Sequence, residues 1–288
     1  FGSQLTRGSH PLQIFERSEL VMAQIKTLED LERMAPACQL ASETLEYLQQ
    51  AVRAGISTLE LDALAEKYIA DRGAIASPKG YRGYPNSICT AVNDVVVHGI
   101  PTAKPLEEGD LITIDVTVYK NGFHGDKAAT VIVPGKRNLE GERLMRVTEA
   151  AMYLGIAEAR AGARLGDVGA AIQEHVEAAG FSVVRDFCGH GIGRMFHEDP
   201  QVLNYGQRNT GRKLRPGMVF TVEPMINAGT WEVRILRDGW TVITRDGSLS
   251  AQFEHTIAVT ASAPRVLTLF TEHEREMWAS YQKPDRAV

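Results

Sequence analysis

The hydrophobic pattern divides the chain into helical and strand-like stretches in a recognisable order. Thr27-x-x-Asp30 has the form of a capping box and predicts a long helix running to about Ala54. Ser57-x-x-Glu60 is a second such box, opening a helix that ends before Gly73. Residues 87–97 and 111–118 then alternate or run apolar and read as strands. Asn121-Gly122 is a two-residue hairpin turn, so 123–133 is the return strand. The same order follows again, with helices near 139–160 and 167–179 and strands near 182–187, 217–223, 240–244 and 251–260.

The recurrence extends to individual residues. Leu106-Glu-Glu-Gly109-Asp-Leu-Ile-Thr113-Ile-Asp115 returns as Leu214-Arg-Pro-Gly217-Met-Val-Phe-Thr221-Val-Glu223. Ala54-Gly55 and Gly73 return as Ala161-Gly162 and Gly180, with Leu61, Ala63 and Ile69 matched by Val168, Ala170 and Val176. The helical copies are offset by 107 residues and the strand copies by 108. Two copies of this size imply two related halves rather than a solenoid, which needs more copies of a shorter repeat. No Pro- or Gly-rich linker separates them, so the fold class is α/β (α+β) in one domain. That domain is expected over 22–270, with halves at about 22–138 and 139–262 and a C-terminal tail at 271–288. Residues 1–21, with Gly-Ser-His at 8–10, read as a loose arm or a cloning remnant, and Met22 as the native start.

Composition narrows the function classes. The 288 residues are long enough for a substantial core, and 44% hydrophobic with 23% charged residues is ordinary for a soluble globular protein. The net charge of −5 argues against nucleic acid as a main partner. No run of about 18 apolar residues predicts a membrane span, and no apolar h-region marks a secretory signal. Cys38, Cys89 and Cys188 form no CxxC and cannot all pair, which fits reduced thiols in the cytoplasm.

The carboxylates are the informative exceptions to the apolar pattern. Across the Asn121-Gly122 turn the direct partner of Asp115 is Ala128, so Asp126 lies two residues away on the same face. Ile112, Ile114, Val116 and Val118 fill the other face. Glu223 ends an apolar strand before Pro224, and Glu254 lies where Phe253, Ile257 and Val259 take the opposite face. Carboxylates converging on one pocket repel unless a cation or a proton lies between them. His190 stands between glycines in Cys188-Gly-His-Gly-Ile-Gly193, which reads as an exposed histidine on a tight loop. His197 and His98 also stand beside Gly or aromatic residues. Four carboxylates balance two divalent ions if one neutral imidazole completes the shell. Oxygen-rich ligands with one imidazole suit Mn, Fe, Co or Zn, and an ion pair of that kind supports hydrolysis.

Six motifs resemble, in order and spacing, the type I methionine aminopeptidases of the bacterial kind. They are Ile114-Asp115-Val116, His124-Gly-Asp126, Gly189-His-Gly-Ile-Gly-Arg194, Phe196-His197-Glu, Val222-Glu223-Pro224 and Phe253-Glu254-His255. The resemblance spans about residues 22–270 and implies the pita-bread fold, with a central antiparallel sheet and helices outside. It also implies Asp115, Asp126, His190, Glu223 and Glu254 as ligands of two divalent ions, whether Co, Mn, Fe, Zn or Ni. Glu223 would be the general base, His197 would bind the scissile carbonyl, and His98 would contact the peptide. Tyr81, Tyr84, Cys89, Phe196 and Trp240 would form the methionine pocket, Tyr84 being equally readable as core packing. The implied partners are nascent polypeptide N-termini with a small second residue, met in the cytoplasm and at the ribosome, with the enzyme a monomer. Two residues depart from the resemblance. Lys127-Ala-Ala stands where relatives carry Thr-Ser-x, and the lysine would be harmless facing away from Asp126 and harmful turned inward. Pro78 stands where relatives often carry Cys in the pocket wall. Competing readings are an Xaa-Pro aminopeptidase or prolidase on the same fold, which usually has an additional N-terminal domain, and a non-catalytic pita-bread binding protein, which would have lost ligands.

Overall fold

A computed structural model describes residues 24–282. The arm at 1–21, Met22 and residues 283–288 lie outside the described residues. Helices α1 (Leu28–Ala51) and α2 (Thr58–Ala70) each begin at the capping box seen in the sequence. Thr27 and Ser57 accept the N–H of Asp30 and Glu60, whose carboxylates reach back to the cap backbone. Helices α3 (Leu139–Glu158) and α4 (Leu165–Ala178) repeat the pair in the second half.

In the first half, Leu111–Lys120 is the central strand. It pairs with Ile75–Ala76 and Cys89–Val92 on one edge and with Phe123–Ile132 on the other. Asn121 and Gly122, at φ 54° and 84°, make the two-residue turn. The register sets Asp115 against Ala128 and Thr117 against Asp126, as expected. Ile112, Ile114, Val116 and Val118 are fully buried on the opposite face, under α1. Burying each contributes roughly 1.5–3 kcal/mol, and a one-residue slip would swap the faces and bring Asp115 under the helix.

The second half holds a five-stranded sheet in the order Arg265–Val266, His255–Ala258, Val219–Val222, Gly189–Gly191, Glu198–Val202. Met225–Asn227 lies between Ser250–Gln252 and Ser182–Val183, and Val242–Thr244 between Val233–Ile235 and Val95–Val97. Every named pairing is antiparallel.

Two expected strands are each broken in two. The stretch 87–97 bends at Asn93, which adopts φ 56°. The stretch 251–260 divides at Phe253-Glu254, because Ser250–Gln252 pairs with Met225–Asn227 whereas His255–Ala258 pairs with Val219–Val222. Glu223-Pro224 interrupts the partner strand at the same level. Both glutamates therefore sit where two neighbouring strands change sheets together, and Pro224, lacking an N–H, suits the break.

The repeat is visible in the backbone. Gly109 and Gly217 adopt φ 85° and 86°, and Gly55 and Gly162 adopt 87° and 92°. Leu106 exchanges backbone hydrogen bonds with Gly55 and Ile56, as Leu214 does with Gly162 and Ala163. The halves join along Phe123–Ile132, where Glu254 N–H donates to Ala128 O (2.8 Å) and Thr256 Oγ1 to Asp126 O (2.8 Å).

Within the stretch expected as a tail, Glu272–Tyr281 forms a helix, α5, capped by Thr271 and Glu274. Its buried Trp278 joins the main core. The three cysteines are free. Among the described residues no helix is long and apolar enough to cross a membrane.

Candidate metal centre and substrate pocket

The two halves deliver their carboxylates to one wall of a cavity of about 310 Å³. Asp115, Asp126, His190, Glu223 and Glu254 all line it. Asp126, His190 and Glu254 each offer a ligand atom within 4.8 Å of the others. His190 Nε2 lies 3.7 Å from Asp126 Oδ2 and 3.6 Å from Glu223 Oε1.

His190 corrects one expectation. It is buried, at 7% exposure, in the strand Gly189–Gly191 rather than exposed on a loop. Its flanking glycines serve close packing. A Cβ on Gly189 would lie 2.5 Å from Thr221 O, and one on Gly191 would lie 2.2 Å from Asp199 O.

Hydrogen bonding around the site leaves acceptors facing acceptors. His190 Nδ1 is 3.0 Å from Gly191 O, which can only accept, so Nδ1 carries the proton. Burial holds the imidazole neutral, with its pKa down at about 4. Its Nε2 lone pair then points toward two carboxylates. Thr117 Oγ1 donates to Asp126 Oδ1 (2.7 Å) and Thr221 Oγ1 to Glu223 Oε1 (2.6 Å). Gln252 Nε2 donates to Glu223 Oε2 (3.3 Å). Glu254 Oε1 is buried with no partner among the described residues.

Burial and the neighbouring carboxylates oppose the charged forms. Burial pushes Asp115 up to about 7 and Glu223 to about 8, the latter also raised by Asp115. Asp126 and Glu254 lie well above the usual carboxylate range, again through burial first and mutual repulsion second. Left to themselves these groups would take up protons. A neutral imidazole with an inward lone pair, four carboxylates and an orphaned Glu254 oxygen instead fit divalent metal binding.

The rest of the cavity is aromatic and apolar. Tyr81, Tyr84, Cys89, Phe196 and Trp240 line it, with Phe187, Met225 and Pro78. Tyr84 is 2% exposed, its hydroxyl 2.9 Å from Gly99 O and 3.1 Å from Ile88 O, and its ring meets Trp240 edge-on at 5.1 Å. It is thus both core and cavity wall. Pro78 stands in the wall. His197 stacks on Tyr81 (5.2 Å) and lies tilted against His190 (4.2 Å), and burial holds its pKa well below the ordinary value. His98, at φ 55°, packs edge-on against Phe187 and Trp240. Burial, then repulsion from His190 when both rings are protonated, lowers it to about 4.

Lys127 faces away from the cavity. Its Nζ reaches Glu274 Oε1 of α5 at 2.5 Å. Sequence reasoning missed Thr117, Thr221, Gln252 and Phe187. Only the two threonines carried a signal, since Thr221 stands two residues before Glu223, and Thr117 is opposite Asp126 once the hairpin register is fixed.

Residues 32–261 match metallopeptidase family M24. The chain is 54% identical over 247 residues to the methionine aminopeptidase of Escherichia coli K12, covering 85% of this chain and 93% of that protein. It is likewise 54% identical over 241 residues to methionine aminopeptidase A of Synechocystis. The crystal structure of the Rickettsia prowazekii methionine aminopeptidase superposes with a TM-score of 0.85 at 48% identity, over 86% of this chain and all of that one. The Pyrococcus horikoshii prolidase shares the fold alone, at 20% identity and a TM-score of 0.68, and the chain spans 64% of its length. With its pita-bread architecture and this degree of likeness, the chain belongs to metallopeptidase family M24 and, within it, to the methionine aminopeptidases.

Proposed function

We propose that this chain removes the N-terminal methionine from nascent proteins and peptides whose second residue is small. The convergence of Asp126 and Glu223 on the lone pair of a neutral His190, with Glu254 within ligand distance and Asp115 lining the same cavity, carries this reading. Asp115, Asp126, His190, Glu223 and Glu254 would hold two divalent ions, drawn from Co, Mn, Fe, Zn or Ni. Bound there, such ions supply Lewis-acid polarisation of the scissile carbonyl and an acidified water.

The chain's own residues do the rest. Glu223, fixed at one oxygen by Thr221 and at the other by Gln252, is oriented to take the proton of the attacking water. His197, held neutral by burial and packed against Tyr81 and His190, offers an N–H to the carbonyl oxygen as it gains charge. His98, also lining the cavity, contacts the peptide beside the scissile amide. Tyr81, Tyr84, Cys89, Phe196 and Trp240 enclose the methionine side chain, and the polarisable thioether suits aromatic walls. The carboxylate-lined end favours a free amine at the substrate's terminus, as an exopeptidase requires. The proposed setting is the cytoplasm, at or near the ribosome, with the protein a monomer.

The test is hydrolysis of Met-Ala-Ser by purified protein with Mn or Co. Methionine should be released, but not from the same peptide with a blocked amine. Equal turnover of Ala-Pro-x peptides would contradict the assignment and favour prolidase-like chemistry.

A further inference from the structure

The residue following a carboxylate ligand is polar and buried on both strands that join the halves. Lys127 follows Asp126 and is 3% exposed, and His255 follows Glu254 and is 2% exposed. Strand alternation turns both side chains away from the cavity, toward the helical layer. There they meet α5 and its neighbour Tyr153. Lys127 Nζ lies 2.5 Å from Glu274 Oε1. Glu274 Oε2 accepts the N–H groups of Phe270 (2.8 Å) and Thr271 (3.0 Å), so this carboxylate is fixed by the cap of its own helix. His255 Nε2 is 3.2 Å from Tyr153 OH, and the Tyr153 ring stacks with Tyr281 and Trp278 of α5 at 5.5 and 6.3 Å.

We propose that α5 is a working part of the metal centre, with Glu274 as the counter-charge that stops the Lys127 cation from opposing metal binding at Asp126. This rests on the reading of Asp126 and Glu254 as cation ligands. A lysine adjacent in sequence to a ligand, buried where solvent screens little, repels a divalent ion. A carboxylate held against it reduces that field to a dipole. Glu274 is therefore a positioning and charge-balancing residue that touches neither substrate nor metal. Hydrogen-bond partners of metal ligands commonly change affinity by about 10–100-fold, and a buried charge one contact further out is expected at the lower end of that range.

The experiment is a calorimetric Mn²⁺ titration of the full chain, stripped with chelator, at a temperature where every variant is folded. Glu274→Gln should weaken Mn²⁺ binding by about tenfold. Lys127→Met, which leaves an anion and no cation behind the site, should bind at least as tightly as the parent. The double variant Lys127→Met/Glu274→Gln should return to within about twofold of the parent, the ordinary additivity error. Thermal stability falls in all three, so it does not discriminate. Unchanged affinity in Glu274→Gln, or a double variant as weak as that single one, overturns the proposal. Weakened binding in Lys127→Met overturns it too, and serves where Glu274→Gln does not fold. If the parent chain binds no Mn²⁺ at all, the reading of the site fails as well, which separates the two failures.

Discussion

The segments Leu106–Asp115 and Leu214–Glu223 share a sequence pattern and a backbone, yet they hold their carboxylates differently. Both place a glycine at φ near 85° before the strand and a threonine two residues before the acid. In the second half Thr221 bonds Glu223 directly (2.6 Å). In the first half Thr113 bonds Thr130 across the hairpin (2.7 Å), Thr130 Oγ1 in turn donates to Gln252 O, and Thr117 takes over the carboxylate, bonding Asp126. The two copies share their geometry, but the first uses its threonine to join the halves and the second uses its threonine to orient an acid.

The largest expected effect tests whether the equivalent carboxylates share one centre. Glu223→Ala and Asp115→Ala should each lower kcat for Met-Ala-Ser by roughly 10³-fold or more, with circular dichroism and thermal melting close to the parent's. Retained rate in either would break the equivalence.

The threonines should then separate the halves. Thr221→Val removes the donor that orients Glu223 and should reduce kcat by about tenfold or more, with little change in KM. Thr113→Val should cost roughly 1 kcal/mol of stability and leave kcat near the parent value. Steady-state kinetics beside urea denaturation checks both. Equal kinetic losses would show that the first-half threonine also serves the site.

The glycines give a smaller, structural contrast. An alanine at either position is strained by its positive φ. At Gly217 the new Cβ would also fall 2.6 Å from Ile25 Cγ2 and 2.7 Å from Lys26 O, whereas at Gly109 its closest neighbour is Lys136 O at 3.1 Å. Gly217→Ala should therefore destabilise more than Gly109→Ala, each by roughly 1–3 kcal/mol read from urea denaturation.

Much of this was legible in the sequence because it rests on local rules. Two capping boxes fixed the starts of α1 and α2, and Asn121-Gly122 fixed the hairpin register that brings Asp115 and Asp126 to one face. The environment of His190 was not legible. Its burial depends on Thr221 O and Asp199 O closing over the flanking glycines, and those contacts exist only once Glu198–Val202 and Val219–Val222 pair on either side of it. The breaks at Glu223 and Glu254 were hidden for a like reason, since a strand that changes partners keeps its apolar run. Helix α5 was missed although Thr271-x-x-Glu274 is a capping box, because little apolar periodicity follows it before Trp278. The orientation of Lys127 became determined only once α5 supplied Glu274.

Helix α5 has no counterpart in the first half, and its contribution shows in acid. Burial alone would raise Glu274, but His255 and Lys127 hold it down at about 2 against an ordinary 4.5. Burial keeps the His255 ring neutral, with its pKa at about 3, so Lys127 is the cation that counts at neutral pH. A lowered carboxyl contributes stability that is full above about 4.5 and is lost as pH falls through 4.5 toward 2. Glu274→Gln should flatten the stability profile across that window. An unchanged profile between pH 5 and pH 2 would place the acid sensitivity elsewhere.

The central claim is that the acids of both halves form one cation site on which turnover depends. Its most direct test is methionine release from Met-Ala-Ser by protein stripped with chelator, before and after Mn²⁺ is added back. The account predicts no turnover in the stripped protein and recovery on titration with Mn²⁺. Undiminished turnover by protein shown to hold no metal would contradict it.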